Sequence, residues 1–496
     1  MRVRFAPSPT GYLHIGNVHT AVFTWLFARQ GDGTFVLRIE DTDTDRSSAA
    51  YEAAILEELR WLGMDWDEGV DVGGPHGPYR QSERLDIYRE YAQKLLESGH
   101  AYYCFCSRDE VDAMRHSALE RGEMPKYSGH CRDLSPQEAA RRIARGEKPV
   151  LRFRLPALPR TIVVDDLIRG PIEFSSDALD DFVLVRSNGV PLYNFAVTVD
   201  DMTMRISHIV RADEHISNTP RQVLVYEALG LTPPRFAHVS MLLGPDRTKL
   251  SKRHGAAAIG EFREQGFLPE ALFNYLATLG WAPVSGKELM SREELIREFD
   301  LTRVSRSAAI FDLEKLKWLN GQYIRNADLD YLAQLALPYL RQKGWLPPAV
   351  DEKTRRWVRD LVGVLRGYLD RLGQLPEYSE LFFSEDYEPE GEKERRVLDG
   401  AEVPEVLRLF LGRLDGLSRF EPDAIHEALH AIPSEMHIPI GKALRPLRVA
   451  LTGKLSGPEL HNVVWLFGRG KCRERAEETL ARISGTHGTI THGTTR

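Results

Sequence analysis

The stretch Arg2-Val-Arg-Phe-Ala-Pro-Ser-Pro-Thr-Gly11 predicts a short strand followed by a loop, because two prolines and a glycine exclude regular structure after Phe5. A helix is expected from Asn17 to about Gln30, with apolar side chains along one stripe. Residues 35–39 then form a nearly continuous apolar run, typical of a parallel strand that is covered on both faces. Strand, helix and strand together predict a right-handed βαβ unit.

Polar residues collect where the two predicted strands end. His14 and Gly16 open the helix, and the run Glu40-Asp-Thr-Asp43 follows the second strand. Open parallel sheets bind their ligands at the carboxyl ends of the strands, so we expect these residues to line one crevice. A helix N-terminus offers unpaired N–H groups to an anion, and Gly16 has no side chain to keep the anion away. The alternative is a loop histidine that only caps a helix.

A basic run, Lys249-Leu-Ser-Lys-Arg253, lies far down the chain and follows Gly244-Pro-Asp246. The glycine and proline predict a mobile surface loop for it. Taken alone, five such residues usually belong to a solvated face, so the run carries weight only together with a second motif.

Together, His14-Ile-Gly-Asn17 and Lys249-Leu-Ser-Lys-Arg253 resemble the two signature motifs of class I aminoacyl-tRNA synthetases. Further stretches narrow the resemblance to the bacterial glutamyl-tRNA synthetases and extend it over almost the whole chain. These stretches are Arg4-Phe-Ala-Pro-Ser-Pro-Thr-Gly11, Arg38-Ile-Glu-Asp-Thr-Asp43, Gly73-Gly-Pro-His-Gly-Pro-Tyr-Arg-Gln-Ser-Glu-Arg84, Val210-Arg-Ala-Asp-Glu214, Lys317-Trp-Leu-Asn-Gly321 and Pro446-Leu-Arg-Val-Ala-Leu-Thr-Gly453. The resemblance implies an α/β Rossmann-like class I synthetase catalytic domain with an α+β insertion, followed by all-α C-terminal domains.

The resemblance also implies an activity, that of a glutamate–tRNA ligase. Such an enzyme activates L-glutamate with ATP to glutamyl-adenylate and transfers it to the 3′ end of tRNA(Glu); whether tRNA(Gln) is a second acceptor stays open. Adenylate formation demands alignment and charge stabilisation rather than a protein nucleophile. ATP and Mg²⁺ are therefore expected, with the ion mostly water-ligated.

Site residues follow from the resemblance, position by position. The expected catalytic set is His14, Gly16, Asn17, Lys249 and Lys252. The expected ATP-binding set is Ser8, Thr10, His14, Gly16, Asn17, Glu214, Leu242, Lys249, Ser251 and Lys252. The expected glutamate-binding set is Arg4, Ala6, Ser8, Glu40, Tyr193 and Arg211. Guanidinium groups suit carboxylates as bidentate partners, although structural ion pairs of the two arginines with Glu40 or Asp213 are an alternative.

Two positions depart from the family pattern. Asn17 stands where many class I enzymes have histidine, and it still donates a hydrogen bond. Val197 is apolar where some relatives have asparagine, so one minor polar contact is not expected here.

Three of the four cysteines suggest a structural zinc site. Cys104 and Cys106 are followed after 24 residues by Cys131, a spacing that can supply three tetrahedral thiolate ligands. Tyr127, His130 and Asp133 are the candidates for a fourth ligand, of which Tyr127 or Asp133 is preferred. A metal-free cluster of buried cysteines is the alternative.

Length and composition indicate a multidomain globular protein. The chain has 496 residues, a net charge of −7 and only four cysteines, which favours a reducing cytoplasm over a disulfide framework. Because the chain is not basic overall, an RNA partner needs a local basic surface. The segment 442–482 is one candidate, and an ordinary charged helical face is the alternative. A monomer is expected.

The predicted domains begin with two halves of the catalytic fold, which enclose an insertion that in the family holds the tRNA acceptor end. A helical stem-contact region, two all-helical anticodon-binding parts and a flexible tail complete the chain. The expected ranges are 1–101 and 192–243 for the halves, 102–191 for the insertion, 244–328 for the basic loop and stem-contact domain, 329–380 and 381–484 for the anticodon-binding parts, and 485–496 for the tail.

Further expectations concern single segments. Thr219-Pro-Arg-Gln222 predicts a capping box at a helix start. Every recognisable element after the basic loop is predicted to be helical. The side chains near residues 366–371 are expected to read the anticodon, and Tyr368 there hints at relaxed recognition.

Two alternative functions remain open at this stage. One is a non-catalytic tRNA-binding relative. The other is a non-discriminating variant, which also charges tRNA(Gln) and feeds an amidotransferase.

Overall fold

The computed structural model describes residues 1–43, 45–250 and 258–487, with side chains up to residue 484. The chain divides into two compact units. The first contains Met1–Glu264 and Pro269–Leu319, and the second contains Gln265–Leu268 and the chain from Asn320 onward. Among the described residues, none of the helices is long and apolar enough to cross a membrane.

The predicted βαβ unit opens the first compact unit. Strand β1 (Arg2–Phe5) leads through helix α1 (Ile15–Gln30) to β2 (Thr34–Leu37), and the two strands pair in parallel. Strand β3 (Glu68–Gly69) pairs in parallel with the far side of β2. Helix α1 begins two residues earlier than predicted because His14 caps it.

A second parallel pair completes this nucleotide-binding fold. Ser207 donates its N–H to the carbonyl of Arg2 over 3.0 Å, which places the next strand beside β1. Within this half, parallel strands alternate with helices on either side. In chain order the elements are α6 (Tyr193–Thr203), β9 (His208–Ala212), α7 (Thr219–Ala228) and β10 (Arg235–Val239).

The inserted segment contributes its own small sheet and also extends the main one. Its antiparallel sheet has the order β4-β5-β8, and a β6-β7 hairpin joins the edge of β10. The strands are β4 (Ala101–Cys104), β5 (Val150–Phe153), β6 (Thr161–Asp166), β7 (Gly170–Ser175) and β8 (Val183–Val185). Helices before and within the insertion are α2 (Ala49–Trp61), α3 (Leu85–Glu97), α4 (Arg108–Glu120) and α5 (Pro136–Ala144). Ser135 caps α5, with proline in its first turn.

The remainder of the first unit is mostly helical, with one exception. Strand β11 (Leu242–Leu243) pairs in parallel with β12 (Ala309–Ile310), so the expectation of helices alone beyond the basic loop was wrong. The two strands are too short to show an alternating pattern in the sequence. The helices are α8 (Ile259–Glu264), α9 (Pro269–Thr278), α10 (Arg292–Glu298) and α11 (Leu313–Asn326), which contains the unit boundary.

In the second unit, every regular element described after α11 is helical. These helices are α12 (Leu329–Gln342), α13 (Glu352–Leu365), α14 (Leu375–Phe383), α15 (Glu392–Leu398), α16 (Val403–Gly416), α17 (Pro422–Glu435), α18 (Ile440–Thr452) and α19 (Leu460–His487). Helix α19 is broken at Gly468, whose φ of 77° lies in the left-handed region that glycine tolerates. The helix reaches His487, so the predicted tail begins later than residue 485, and residues 488–496 lie outside the described chain.

The basic segment of the second unit is largely engaged in contacts within the unit. Arg475 is buried and donates to the carbonyl groups of Leu451 and Ser384, both at 2.7 Å. Arg469 donates to carbonyls at the end of α16, and Arg473 pairs with Asp415. These contacts favour the alternative that this is an ordinary charged helical surface over an RNA-binding stripe.

The buried His19 of α1 makes the stability of the first unit depend on pH. Its Nε2–H donates to the carbonyl of Leu279 over 2.8 Å, and burial lowers the pKa of His19 to about 4. The unfolded chain, with an ordinary pKa of about 6.5, binds a proton first as pH falls. The contribution is therefore complete above pH 6.5 and is lost between pH 6.5 and 4.

We expect wild-type protein to lose about 3 kcal/mol more unfolding free energy than His19→Gln over this pH window. Urea unfolding at pH 7, 5.5 and 4 measures it, with His116→Gln as the control because that side chain is exposed. Parallel pH curves for wild type and His19→Gln would contradict the assignment.

Candidate active site

A cavity of about 410 Å³ opens at the carboxyl ends of β1 and β9. A smaller cavity of about 60 Å³ adjoins it and shares Asn17, Thr20, Ala212 and Glu214 with it. The larger cavity is lined by Arg4, Phe5, Ala6, Pro7, Ser8, Thr10, Asn17, Thr20, Glu40, Tyr193, Val210, Arg211, Ala212, Glu214, His215 and Asn218. The larger cavity therefore brings together residues from the first loop, from just after β2 and from the second half of the fold. Of the residues expected to line one crevice, Glu40 lines this cavity, His14 and Gly16 line only the smaller one, and residues 41–43 line neither.

His14 and Gly16 form one wall of the smaller cavity. The Nδ1 atom of His14 accepts the N–H of Gly16 over 3.1 Å, so in the neutral ring Nε2 carries the proton. Burial, and then the nearby charge of Lys249, lowers the pKa of His14. The wall is thus a neutral N–H donor beside a helix N-terminus, which suits a phosphate oxygen.

Lys249 lies on the opposite side of this cavity. It pairs with Leu243 in a short bridge, and its ammonium group contacts the carboxylate of Glu214 at 3.1 Å. Its side chain is 72% exposed, so its charge can follow a ligand. Leu242 lines the same cavity. Predicted residues Ser251 and Lys252 lie outside the described residues.

A buried carboxylate fixes the position of Arg4. Its Nε donates to Asp201 of α6 over 3.0 Å, and the two side chains are 5% and 1% exposed. Asp201 also accepts from Arg38 at 2.7 Å. Although burial alone would raise the pKa of Asp201, Arg4 and Arg38 lower it. The suggested ion pair of Arg4 with Glu40 was therefore wrong, because Asp201 occupies that role.

Asp200, next to Asp201, balances a second pair of arginines. It contacts Arg84 at 2.6 Å and Arg38 at 3.6 Å, and all three side chains are almost fully buried. Tyr88 and Gln81 donate to the same carboxylate. Beneath the cavity, Asp200 and Asp201 therefore each serve two guanidinium groups, and Arg38 also contacts Glu40 at 3.1 Å.

Arg211 is fixed by a different set of partners. Its Nε donates to Nε2 of His238 over 3.1 Å, and its terminal nitrogens donate to Gln222 and Thr219 at 2.9 and 2.8 Å. The suggested partner Asp213 instead pairs with Arg169. Each terminal nitrogen of Arg211 carries a second N–H, and the Tyr193 side chain is a further hydrogen-bonding neighbour of this guanidinium.

The partners of Arg211 correct one expectation. Thr219 is the first residue of α7 rather than its cap, and Asn218 precedes the helix without a side-chain capping bond. Thr219 and Gln222 fit the capping-box pattern in the sequence, but their side chains hold Arg211 instead.

His238 connects Arg211 to the inserted strand β6. Its Nδ1 donates to Asp166 over 2.6 Å, which leaves Nε2 as the acceptor for Arg211. Burial and Arg211 lower the pKa of His238, while Asp166 raises it, and the net direction is downward. A neutral ring with a fixed tautomer therefore orients Arg211. Both His238 and Asp166 were missed in the sequence because nothing local links them to the cavity.

Glu40 and Tyr193 complete the cavity. Burial raises the pKa of Glu40, against the opposing effect of Arg38 and Arg4. A bound cation would favour the ionised form of this carboxylate. The rings of Tyr193 and His215 are neighbours tilted by 34°, and the Tyr193 hydroxyl is 3.3 Å from Nδ1 of His215.

A groove of about 820 Å³ leads from this cavity toward the insertion and shares Tyr193 and Asn218 with it. Cations outnumber anions among its charged lining residues, which are Arg108, Arg115, Lys148, Arg152 and Arg221 against Asp112 and Asp180. The groove ends at Cys104 and Cys106.

The three cysteines of the insertion lie together. Their sulfur atoms are within 4.8 Å of one another, and the Cys106 and Cys131 sulfurs are 3.6 Å apart. The Tyr127 hydroxyl is 3.3 Å from Cys104 and 3.7 Å from Cys106. Burial raises the pKa of Cys106 to about 12. Asp133 is 96% exposed and pairs with Arg154, so the suggestion of Asp133 as a fourth ligand was wrong.

Comparison with known proteins identifies the family of this chain. The chain matches the family "tRNA synthetases class I (E and Q), catalytic domain" over residues 1–318 and "Anticodon binding domain" over residues 331–480. It is 48% identical to the glutamate–tRNA ligase of Carboxydothermus hydrogenoformans over 475 residues, covering 96% of this chain and 98% of that protein. It is 47% identical to the glutamate–tRNA ligase of Symbiobacterium thermophilum over 480 residues, covering 96% and 98%.

A solved structure agrees over the full length. The crystal structure of a glutamate tRNA ligase from Elizabethkingia meningosepticum, in complex with its amino acid, matches with a TM-score of 0.86 and 34% identity. The match covers 97% of this chain and 99% of that one.

The buried network predicts a large stability cost for removing one charge beneath the cavity. Asp201→Asn should lower the unfolding free energy by about 3 kcal/mol or more, because it leaves Arg4 and Arg38 buried without their shared counter-charge. The matched control is Asp86→Asn, whose partner Arg89 and own side chain are 71% and 87% exposed, and which should change little. Equal unfolding midpoints in urea for the two variants would contradict the role given to Asp201.

Proposed function

This chain belongs to the class I glutamate–tRNA ligases, and we propose that it activates L-glutamate in the cavity between Arg4, Glu40 and Arg211. The observation that carries the proposal is that two cavities with different chemistry adjoin each other. One cavity holds two buried guanidinium groups and a buried carboxylate, and it is continuous with a helix N-terminus that suits phosphate.

The charges of the larger cavity complement glutamate. The ligand has two carboxylates and one ammonium group, and the cavity presents two arginines and Glu40. We assign the carboxylates to Arg4 and Arg211, and the ammonium group to Glu40, with Ala6, Ser8 and Tyr193 as the surrounding wall. Arg4 and Arg211 are held by buried partners before the ligand arrives, so little ordering is needed on binding.

The smaller cavity suits the phosphates of ATP. In adenylate formation a glutamate carboxylate attacks the α-phosphorus, and pyrophosphate leaves with additional negative charge. His14 donates its Nε2–H, the N-terminus of α1 at Gly16 and Asn17 adds its partial charge, and Lys249 supplies an ammonium group. We include Ser8, Thr10, Leu242, Ser251 and Lys252 in the ATP site by their positions in the family motifs.

Mg²⁺ on the ATP phosphates would supply further charge neutralisation. This ion keeps most of its waters and takes one or two carboxylates along with the phosphates. Glu214 fits that role because its carboxylate lines both cavities.

The groove beside the cavity fits the 3′ end of tRNA. Its cationic side chains can contact phosphates, and it leads to the cavity in which glutamyl-adenylate would form. The second half of the reaction then transfers the glutamyl group to the terminal ribose, with AMP as the leaving group.

We propose that Cys104, Cys106, Cys131 and Tyr127 hold a structural zinc ion. Tetrahedral thiolates bound to zinc at about 2.3 Å lie about 3.8 Å apart, close to the 3.6 Å between Cys106 and Cys131. The Tyr127 hydroxyl is the oxygen next to two of the sulfurs. In this place the ion would link β4 to the loop before α5 and would take no part in the chemistry.

Metal analysis tests this site. We expect one zinc ion held by these side chains, which is lost in Cys106→Ser and kept in Cys472→Ser, because Cys472 lies in the second unit. Protein prepared with ample zinc that holds none at the cysteines would contradict the proposal.

Two lysines should be essential for adenylate formation. Lys249→Ala and Lys252→Ala should each lower its rate by two to three orders of magnitude, as the loss of one charge-stabilising donor does. ATP–pyrophosphate exchange with tRNA(Glu) present measures this, and circular dichroism checks folding. The control is Lys287→Ala, which removes a surface lysine paired with Glu294. A rate within about twofold of wild type, far from the expected loss, would remove that lysine from the mechanism.

Aminoacylation with labelled glutamate tests the function itself. Separate transcripts of tRNA(Glu) and tRNA(Gln) are offered, with glutamine as the control amino acid. Charging of tRNA(Glu) alone marks a discriminating enzyme, and charging of both marks the first step of an indirect route to glutaminyl-tRNA. Folded protein that binds ATP but charges neither would favour a non-catalytic tRNA-binding protein.

A further inference from the structure

Three histidines meet on the surface of the second unit, in a part of the chain that the proposed reaction does not use. Two of them belong to the sequence His426-Glu-Ala-Leu-His430 on α17. Side chains four residues apart lie on one face of a helix, and this H-E-x-x-H spacing is one that binds zinc in other proteins. The third is His461, in the first turn of α19.

The distance between two of the rings fits a shared metal ion. The Nδ1 atoms of His426 and His461 are 3.4 Å apart, and the two rings are nearly perpendicular at 88°. Two imidazole nitrogens at about 2.05 Å from a tetrahedral zinc ion are separated by about 3.3 Å. A hydrogen bond between neutral rings favours a shorter separation, with N–H donors usually within about 3.2 Å of the acceptor. The separation between the two Nδ1 atoms therefore fits a shared metal ion as well as a hydrogen bond between the rings.

The third ring is a neighbour of the pair and joins the ion only after a change of rotamer. His430 packs on His426 with ring centroids 4.1 Å apart, so a change of side-chain rotamer is what brings its nitrogen to the same ion. Carboxylates face the cluster from both helices, since Asp423 and Glu459 act electrostatically on His461.

We propose that His426, His430 and His461 form a binding site for a divalent transition-metal ion, with zinc as the expected occupant. The ion would connect α17 to α19, two helices of one core, and so stabilise the second unit. His426, Glu427 and His430 are exposed on the helix surface. In metalloproteases the glutamate of this motif acts as a general base on a substrate in a cleft, so we assign a structural role to this exposed site.

The site is separate from the cysteine cluster, which lies in the other unit and offers thiolates. The two can therefore be distinguished by ligand chemistry. Cobalt bound by thiolates gives an intense sulfur-to-metal charge-transfer band, whereas cobalt bound by imidazole and water gives only weak visible bands.

The test is titration of the full-length chain, freed of metal with a chelator, with Zn²⁺ by calorimetry and with Co²⁺ by absorption. We expect a second binding event that persists in Cys106→Ser and is weakened about tenfold or more in His426→Ala and His461→Ala, as removal of a ligand from a metal site does. His116→Ala is the control, since it removes an exposed histidine of the first unit.

Thermal unfolding provides a second readout, in which zinc should raise the melting temperature of the second unit in wild type but not in His461→Ala. If Cys106→Ser does not fold, the weak visible cobalt bands of the wild-type chain serve in its place. Binding that is confined to the thiolate site, or an imidazole signal unchanged in His426→Ala and His461→Ala, would overturn the proposal.

Discussion

The cavity depends on how three arginines are buried together. Arg4, Arg38 and Arg84 come from β1, from the end of β2 and from the turn before α3, and their counter-charges are Asp200 and Asp201 of α6 together with Glu40, which contacts Arg38 at 3.1 Å. Removing such charges from water costs several kcal/mol per ion, and the cost is offset only when each group finds its partners in good geometry. The network thus fixes where both halves of the sheet meet, and it fixes Arg4 at the cavity floor.

The second arginine of the cavity is held independently of this network. Arg211 has neutral partners. One of them is His238, which accepts a hydrogen bond from Arg211 and donates one to the carboxylate of Asp166. Asp166 belongs to β6, a strand of the inserted segment that pairs with β10. The insertion is consequently part of the sheet that borders the larger cavity, in addition to lining the groove. Two guanidinium groups held from separate elements keep a fixed spacing, which favours a ligand with two carboxylates over one with a single carboxylate.

The sequence predicted the elements and the residue types of the site better than it predicted their partners. The βαβ unit and the collection of His14 and Glu40 near the carboxyl ends of its strands follow from local patterns. The partners of Arg4 and Arg211 do not, because Asp201 and His238 are distant in the chain and pairing between distant charges leaves no periodic signal. The same limit explains why Thr219 and Gln222 suggested a helix cap. Their spacing fits a local capping box, but their side chains contact Arg211 of β9 instead.

Histidines near the cavity show how its charge is controlled. Burial or neighbouring cations lower the pKa of His14, His238 and His215, in the last case to about 4. Near neutral pH the imidazoles are uncharged, so the positive charge at the cavity comes from arginine and lysine side chains that do not titrate there. A neutral His14 can donate a hydrogen bond to a phosphate oxygen without adding a positive charge to the cavity. The positive charge that the cavity would present to glutamate and ATP is then set by its arginine and lysine side chains. It would stay constant while the substrates react.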